Sequence, residues 1–356
     1  MKKFVHGGNV YQKPPAGKKW LDFSANINPL GISEPVKKAI EAGIDDLINY
    51  PDPAGKEAKH AIAEFYDVPE EQIVLGNGAV ELLYVLFHAR KFPNVLLPVP
   101  SFSEYERAAE AGGVEVKYFP LQAENGFALD IEKFISNLIF FSCTVLGNPG
   151  NPTGNMLELA DIRRILDAAR KTGTLVIIDE SFIDFRSDRN KYSARHLVSE
   201  YDNLVILQSL TKFYALPGLR LGFVLAASEL AAKLEQAKDP WNMNLLAQKA
   251  VCAALADEEY QRKTREVVKQ ESKYLTSKLT SIPGVKVFPP TVNFVLLDVR
   301  GTGLTSTELV DKMRQRGILL RNCDNYPGLD EYYVRVAVKS PADNKSLTDA
   351  LEEILT

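Results

Sequence analysis

The chain has 356 residues, 46% of them hydrophobic and 25% charged, with a formal net charge of -4 at pH 7. That length suits two domains, or one large domain with a lobe, and a mildly acidic chain without a run of lysines or arginines gives no electrostatic reason to expect nucleic acid or an anionic membrane as partner. Cys143, Cys252 and Cys323 are far apart and odd in number, and the four histidines are scattered, so neither a disulfide framework nor a metal site is expected.

The opening residues turn polar and glycine-rich at Gly7-Gly8-Asn9, too soon for the apolar core of a signal peptide, and no apolar run is long enough for a bilayer. A cytoplasmic protein acting on small molecules is expected. Turn signals at Gly7-Gly8-Asn9, Pro14-Pro15 and Asn28-Pro29-Leu30-Gly31 predict that residues 1–45 form an arm plus one helix joined to the carboxy-terminal lobe. Over 46–240, short apolar runs at 94–99, 114–119, 138–145, 174–178, 203–208 and 221–226 read as strands. Between them 79–91, 103–112 and 158–171 repeat apolar residues at helical spacing, which predicts an α/β domain whose mostly parallel sheet is flanked by helices. After Asp239-Pro240-Trp241 a long charged helical stretch, 244–280, is followed by strands at 285–288, 293–299 and 332–338, so 241–356 reads as a long helix and a smaller α+β domain.

Lys212, in Ser209-Leu210-Thr211-Lys212, follows the apolar strand Leu204-Val205-Ile206-Leu207 and precedes Pro217-Gly218-Leu219-Arg220. An amine that condenses with an aldehyde cofactor must lie beside groups that hold the cofactor phosphate, and a hydroxyl, a guanidinium and a lysine converge here on one segment. The buried-strand run Leu175 to Ile178 ends in Asp179-Glu180, where open α/β sheets place ligands. Asp179 can face a pyridine nitrogen there, or cap a helix or pair with a lysine. The dense turn Gly147-Asn148-Pro149-Gly150-Asn151-Pro152-Thr153-Gly154 can present Asn151 to a ligand, and the amides of Gly78-Ala79 before a helix can hold a phosphate. Arg335 sits among apolar neighbours on Tyr332 to Val338 and needs a carboxylate partner, from the protein or from a substrate.

Taken in order, Gly78-Ala79, Asn151-Pro152-Thr153-Gly154, Asp179, Ser209 to Lys212 and Arg220 resemble the fold type I pyridoxal-phosphate enzymes, in the branch of the histidinol-phosphate aminotransferases. The likeness covers nearly the whole chain. It implies pyridoxal 5′-phosphate bound to Lys212, with Asp179 at the pyridine nitrogen, Asn151 at the ring oxygen, and Ser209, Arg220, Gly78 and Ala79 at the phosphate. It also implies Phe102 stacked on the ring, Arg335 on the substrate carboxylate, and Tyr50 reaching the phosphate of a neighbouring subunit in a homodimer. Phe102 by itself reads first as a core phenylalanine, and only the resemblance gives it the stacking role.

Within this branch, His6-Gly7-Gly8-Asn9, the run Leu21 to Gly31, and Arg321-Asn322-Cys323-Asp324-Asn325-Tyr326 resemble the threonine-phosphate decarboxylases of cobamide side-chain synthesis. Phe182 stands where the aminotransferases commonly carry a tyrosine, although a core substitution explains it as well. The resemblance implies Arg321 as the main anchor of a substrate phosphate, with His6, Asn26 and Ser24 from the arm as helpers. It implies decarboxylation of L-threonine O-phosphate or L-serine O-phosphate, which differ by one methyl group that a pocket distinguishes by only about 1–3 kcal/mol. Histidinol-phosphate aminotransferase is the alternative, and a regulator that binds the cofactor without turnover is a more distant one.

Overall fold

The computed structural model describes residues 6–355. The first five residues of the expected arm, and with them the start of the segment read against a signal peptide, lie outside the described residues.

The chain enters through β1 (Leu21–Asp22), α1 (Glu34–Ala42) and α2 (Lys56–Tyr66), then alternates strand and helix. The series is β2 (Ile73–Asn77), α3 (Ala79–Ala89), β3 (Asn94–Val99), α4 (Ser103–Ala111), β4 (Glu115–Pro120), α5 (Ile131–Leu138), β5 (Cys143–Gly147), α6 (Leu159–Thr172), β6 (Leu175–Asp179), β7 (Leu204–Ser209), β8 (Leu221–Ala226) and α7 (Ser228–Ala237). The strands form one sheet in the order β2-β8-β7-β6-β5-β3-β4, parallel except that β8 runs antiparallel to both its neighbours. Burial of both faces explains the continuous apolar runs. Val176, Ile178, Leu204 and Ile206 point into one core, and Leu175, Ile177, Val205 and Leu207 into the other, as a period of two requires.

Beyond it lie α8 (Leu245–Ala256), α9 (Glu258–Thr280), β9 (Lys286–Val287), β10 (Phe294–Asp298), α10 (Ser306–Gln315), β11 (Ile318–Leu319), β12 (Arg321–Asn322), β13 (Tyr333–Ala337) and α11 (Pro341–Leu355). Here the sheet is antiparallel, ordered β12-β13-β10-β9, and β1 pairs in parallel with β11. A separate core joins Phe23 to Leu275, Val295, Val336 and Leu347.

Four local features differ from expectation. The stretch 244–280 is two helices, because the Asp257 carboxylate accepts from the Tyr260 amide and starts α9 afresh. The strand expected over 138–145 begins only at Cys143: Asp130 caps α5, which takes Leu138, and Ile139 and Phe140 face solvent. The run Ile73–Asn77, unassigned from sequence, is an edge strand whose end is the glycine loop before α3. Finally, although β1 pairs with β11 of the carboxy-terminal part, α1 packs along α8 and its Val36 belongs to the core of the large sheet. Among the described residues, no helix is long and apolar enough to cross a membrane.

A small cluster ties the two parts together. Phe127, in the connection from β4 to α5, holds a left-handed backbone (φ 62°) and packs its buried ring 5.2 Å from Phe288 and 6.0 Å from Tyr333. Substituting Phe127 by Ala should destabilise the protein by about 3 kcal/mol, because the neighbouring aromatic rings cannot collapse into the space, and chemical denaturation monitored by tryptophan fluorescence would measure it.

Candidate active site

Parallel strands deliver their following loops to one edge of the sheet, so β5, β6 and β7 bring three expected site segments together. Asp179 closes β6 and is nearly fully buried; its Oδ2 accepts from the Tyr105 hydroxyl at 2.7 Å and its Oδ1 from the Ser181 amide at 2.9 Å. Lys212 follows Ser209, the last residue of β7, and donates from Nζ to the Ser209 hydroxyl at 3.0 Å. Its carbonyl accepts from the Asn28 amide at 3.0 Å, which ties the amino-terminal arm to the same turn. Burial lowers the Lys212 ammonium to about 8; the Asp179 charge opposes that shift and the Arg220 charge adds to it. Lys212, Asp179, Phe102, Asn151, Phe182 and Arg220 line one cavity, with Ala79 and Ser209 also in its wall.

At one end of that cavity, β2 and β8 approach closely, with Gly76 opposite Gly222. A Cβ at Gly222 would strike the backbone nitrogen of Ala79, and one at Gly78 would strike the Arg220 guanidinium. Gly78 has a φ of +82° as the residue before α3, and Arg220 itself holds a left-handed backbone (φ 61°), which costs an L-residue roughly 1–2 kcal/mol. The outcome is a guanidinium laid across a glycine at a helix amino terminus, a suitable cradle for a phosphate dianion. A partly desolvated amine, a buried carboxylate and this cradle fit the aldehyde, ring nitrogen and phosphate of pyridoxal 5′-phosphate.

On the other side lie the arginines. Arg321 on β12 and Arg335 on β13 are direct cross-strand partners and both are buried. Arg335 donates to the Asn151 side-chain oxygen and, at 2.8 Å, to the Ser24 carbonyl, while its Nε is buried with no acceptor among the described residues. Desolvation is the chief reason its guanidinium sits below its ordinary value. Arg321 donates to the Asn325 side-chain oxygen at 2.9 Å and to the Asn322 carbonyl, with its guanidinium 4.8 Å from the Tyr326 ring. Like charges directly opposite on neighbouring strands repel, and an anion between them reverses that cost.

The arm residues reach the same region with differing engagement. The His6 ring nitrogen lies 2.8 Å from the Glu104 carboxylate, and its ring is 5.9 Å from Phe102. Burial works against the Glu104 charge, but the hydrogen bonds and charges of His6 and Arg107 outweigh it and hold the carboxyl below its ordinary value. The Ser24 hydroxyl is occupied, accepting from the Gly8 amide and donating to Asp22, so it is the Ser24 carbonyl that meets Arg335. The Asn26 side-chain oxygen is buried without a partner among the described residues. Tyr50 lies outside the cavity, 79% exposed and 4.9 Å from the Trp241 ring. Phe182 lies in the cavity wall and packs edge-on against Phe294 at 5.1 Å, so its position supplies no hydroxyl.

Sequence reasoning missed Tyr105, the partner of Asp179. Its signal was present: a tyrosine three residues after Phe102 on a helix shares that residue's face, and a buried phenol needs a hydrogen-bond acceptor.

Residues 18–354 match the family described as aminotransferase class I and II. The chain belongs to this family. Its cofactor is pyridoxal 5′-phosphate. Over 99% of its length the chain is 40% identical to a putative threonine-phosphate decarboxylase of Caldanaerobacter subterraneus subsp. tengcongensis, covering 94% of that protein. It is 33% identical to the threonine-phosphate decarboxylase of Salmonella typhimurium, over 99% of this chain and 97% of that one. Among solved structures of this family, the histidinol-phosphate aminotransferase of Clostridium acetobutylicum superposes with a TM-score of 0.88 at 33% identity, covering 93% of this chain and 98% of that one.

Two measurements probe the cavity. Only the neutral amine attacks an aldehyde, so the rate at which cofactor-free protein takes up pyridoxal 5′-phosphate should rise with pH through a midpoint near 8 in stopped-flow absorbance. A solvated lysine would give a midpoint about two units higher. Substituting Gly222 by Ala should weaken cofactor retention by about tenfold or more in equilibrium dialysis, because the added methyl pushes the α3 amino terminus off its place.

Proposed function

We propose that this chain is a pyridoxal-phosphate-dependent decarboxylase that converts L-threonine O-phosphate to (R)-1-aminopropan-2-yl phosphate, the side-chain unit of cobamide assembly, with L-serine O-phosphate as a near variant. The observation that carries the reading is the buried cross-strand pair Arg321 and Arg335, with Arg335 hydrogen-bonded to Asn151 of the Lys212 cavity. Two buried cations, one of them joined through Asn151 to the cavity that holds Lys212, suit a substrate that bears two anions, a carboxylate and a phosphate, on a short carbon chain. The names of the two relatives, which match along nearly the whole chain, agree with it.

In this reading Arg335 takes the α-carboxylate and Arg321 the substrate phosphate, with His6, Ser24 and Asn26 closing the site from the arm. Ser209, Arg220, Gly78 and Ala79 hold the cofactor phosphate, Phe102 covers the ring, Asn151 meets the ring oxygen, and Asp179 faces the ring nitrogen. When bound, the cofactor supplies an electron-accepting conjugated ring to the substrate amine. The anchors at the two ends of the substrate would decide which bond at Cα is presented for breaking. Arg335 and Arg321 would together set the orientation of the carboxylate, and Lys212 would deliver a proton from Nζ to Cα once carbon dioxide had left. An amine whose pKa is lowered to about 8 is suited to accept and return that proton near neutrality.

The division into arm (1–45), cofactor domain (46–240) and small domain (241–356) belongs to the same reading, as does a cytoplasmic homodimer. Tyr50 and Trp241 lie 4.9 Å apart and exposed, and Ile44, Leu47 and Ile48 shortly before Tyr50 are exposed as well; in this reading a second copy covers these apolar residues and Tyr50 reaches that copy's cofactor phosphate.

A substrate panel tests the reaction. Threonine phosphate should release carbon dioxide stoichiometrically with aminopropanol phosphate and without any 2-oxo acid, whereas amine transfer from glutamate to imidazole-acetol phosphate would replace the decarboxylase by the aminotransferase. Lys212→Ala should abolish turnover and the visible absorbance of the lysine-bound cofactor. Arg321→Ala should lower kcat/KM for threonine phosphate by about thirtyfold, the loss of a hydrogen bond to a charged group, while cofactor affinity changes little.

A further inference from the structure

We propose that Tyr105 is a positioning residue for the reaction: its hydroxyl orients the Asp179 carboxylate so that the pyridine nitrogen of the cofactor stays protonated. The inference rests on the cofactor assignment and on Asp179 facing the ring nitrogen, and it concerns a residue outside the expected site.

The geometry points one way. Tyr105 is 3% exposed and donates to Asp179 Oδ2 at 2.7 Å, while the Ser181 amide donates to Oδ1 at 2.9 Å. Each carboxylate oxygen therefore has one donor, from a different element, and the carboxyl plane cannot turn without breaking one of the two bonds. Both donors are neutral. Lys212, a cation of the same cavity, gives its hydrogen bond to Ser209 instead, and Asp179 forms no ion pair within 4 Å among the described residues. The Lys212 charge acts on this carboxylate only across the cavity, so a cation in direct contact is still wanted, and a protonated ring nitrogen is one. Burial, followed by the Asp179 charge, raises the Tyr105 phenol well above its ordinary value, so it remains a donor throughout the working range.

The same helix turn carries a second constraint. Phe102 and Tyr105 stand three residues apart at the start of α4, with ring centroids 5.6 Å apart and planes at 88°. The ring that covers the cavity and the hydroxyl that fixes the carboxylate thus move as one unit. Buried tyrosines usually find some acceptor, and a backbone carbonyl would have satisfied this one. The acceptor here is instead the carboxylate in the wall of the Lys212 cavity.

The test uses Tyr105→Phe holoenzyme reconstituted with cofactor labelled with nitrogen-15 in the ring. In the parent protein the ring-nitrogen resonance should stay at its protonated position across neutral pH. In Tyr105→Phe it should move toward the unprotonated position, with kcat lowered by about tenfold and KM changed by less than about twofold, as expected for losing a hydrogen bond to a charged group that substrate never touches. A role confined to packing would lower thermal stability and leave the resonance in place; an unmoved resonance in the variant overturns the proposal whatever the activity. Asp179→Asn serves as the reference: if its resonance moves while that of Tyr105→Phe does not, the role of Tyr105 alone fails, and if neither moves, the placing of Asp179 at the ring nitrogen fails with it.

Discussion

Keeping a lysine amine out of water, at the end of a strand and within reach of a buried carboxylate, is the constraint around which this molecule is organised. An ammonium in bulk water is inert toward an aldehyde at neutral pH, and burial of Lys212 removes that obstacle by disfavouring its charge. Burial can be sustained only because the opposing charge of Asp179 and the Ser209 hydroxyl stop the amine from being abandoned altogether. The parallel sheet supplies that balance: β6 ends in Asp179, the neighbouring β7 ends in Ser209, and both ends open on the same edge.

The second dependence is on the junction between the two parts of the chain. Arg335 belongs to the antiparallel sheet, yet its guanidinium reaches the Asn151 loop of the parallel one and the Ser24 carbonyl of the arm. Three chain segments far apart in sequence therefore meet at one planar cation, whose fork has the geometry to take a carboxylate when one arrives. In the proposed function the choice of reaction resides at this junction, because the cofactor chemistry is common to decarboxylation and transamination and only the orientation about Cα differs. Phe182, which supplies no hydroxyl, packs on Phe294, the same ring that lies 5.4 Å from the Arg335 guanidinium.

Much of the large sheet was legible because strands buried on both faces leave continuous apolar runs, and β3, β6, β7 and β8 fall within a residue or so of the stretches read from sequence. The edge strand Ile73–Asn77 was not, since its glycine-rich end reads as a loop and only pairing with β8 makes it a strand. The false start at Ile139-Phe140 has a similar cause. An apolar pair following an amphipathic helix looks like the beginning of a strand, and only the fold reveals that both side chains face outward.

The lysine, serine and arginine that carry the resemblance to pyridoxal-phosphate enzymes follow a buried strand and are held to one turn by chain connectivity alone, so that part of the site was legible in the sequence. By itself the sequence also determined the alternation of elements, since periodicity is a local property. Contacts between distant segments were decided only by the tertiary structure. That Arg321 and Arg335 are opposite partners depends on strand register, that Arg220 lies across Gly78 depends on β2 pairing with β8, and that Tyr105 meets Asp179 depends on α4 packing against α3 and β3 so that its first turn reaches the end of β6. Such contacts join residues separated by long stretches of chain, and their free energy comes from burial and hydrogen bonding that exist only once the sheet has assembled.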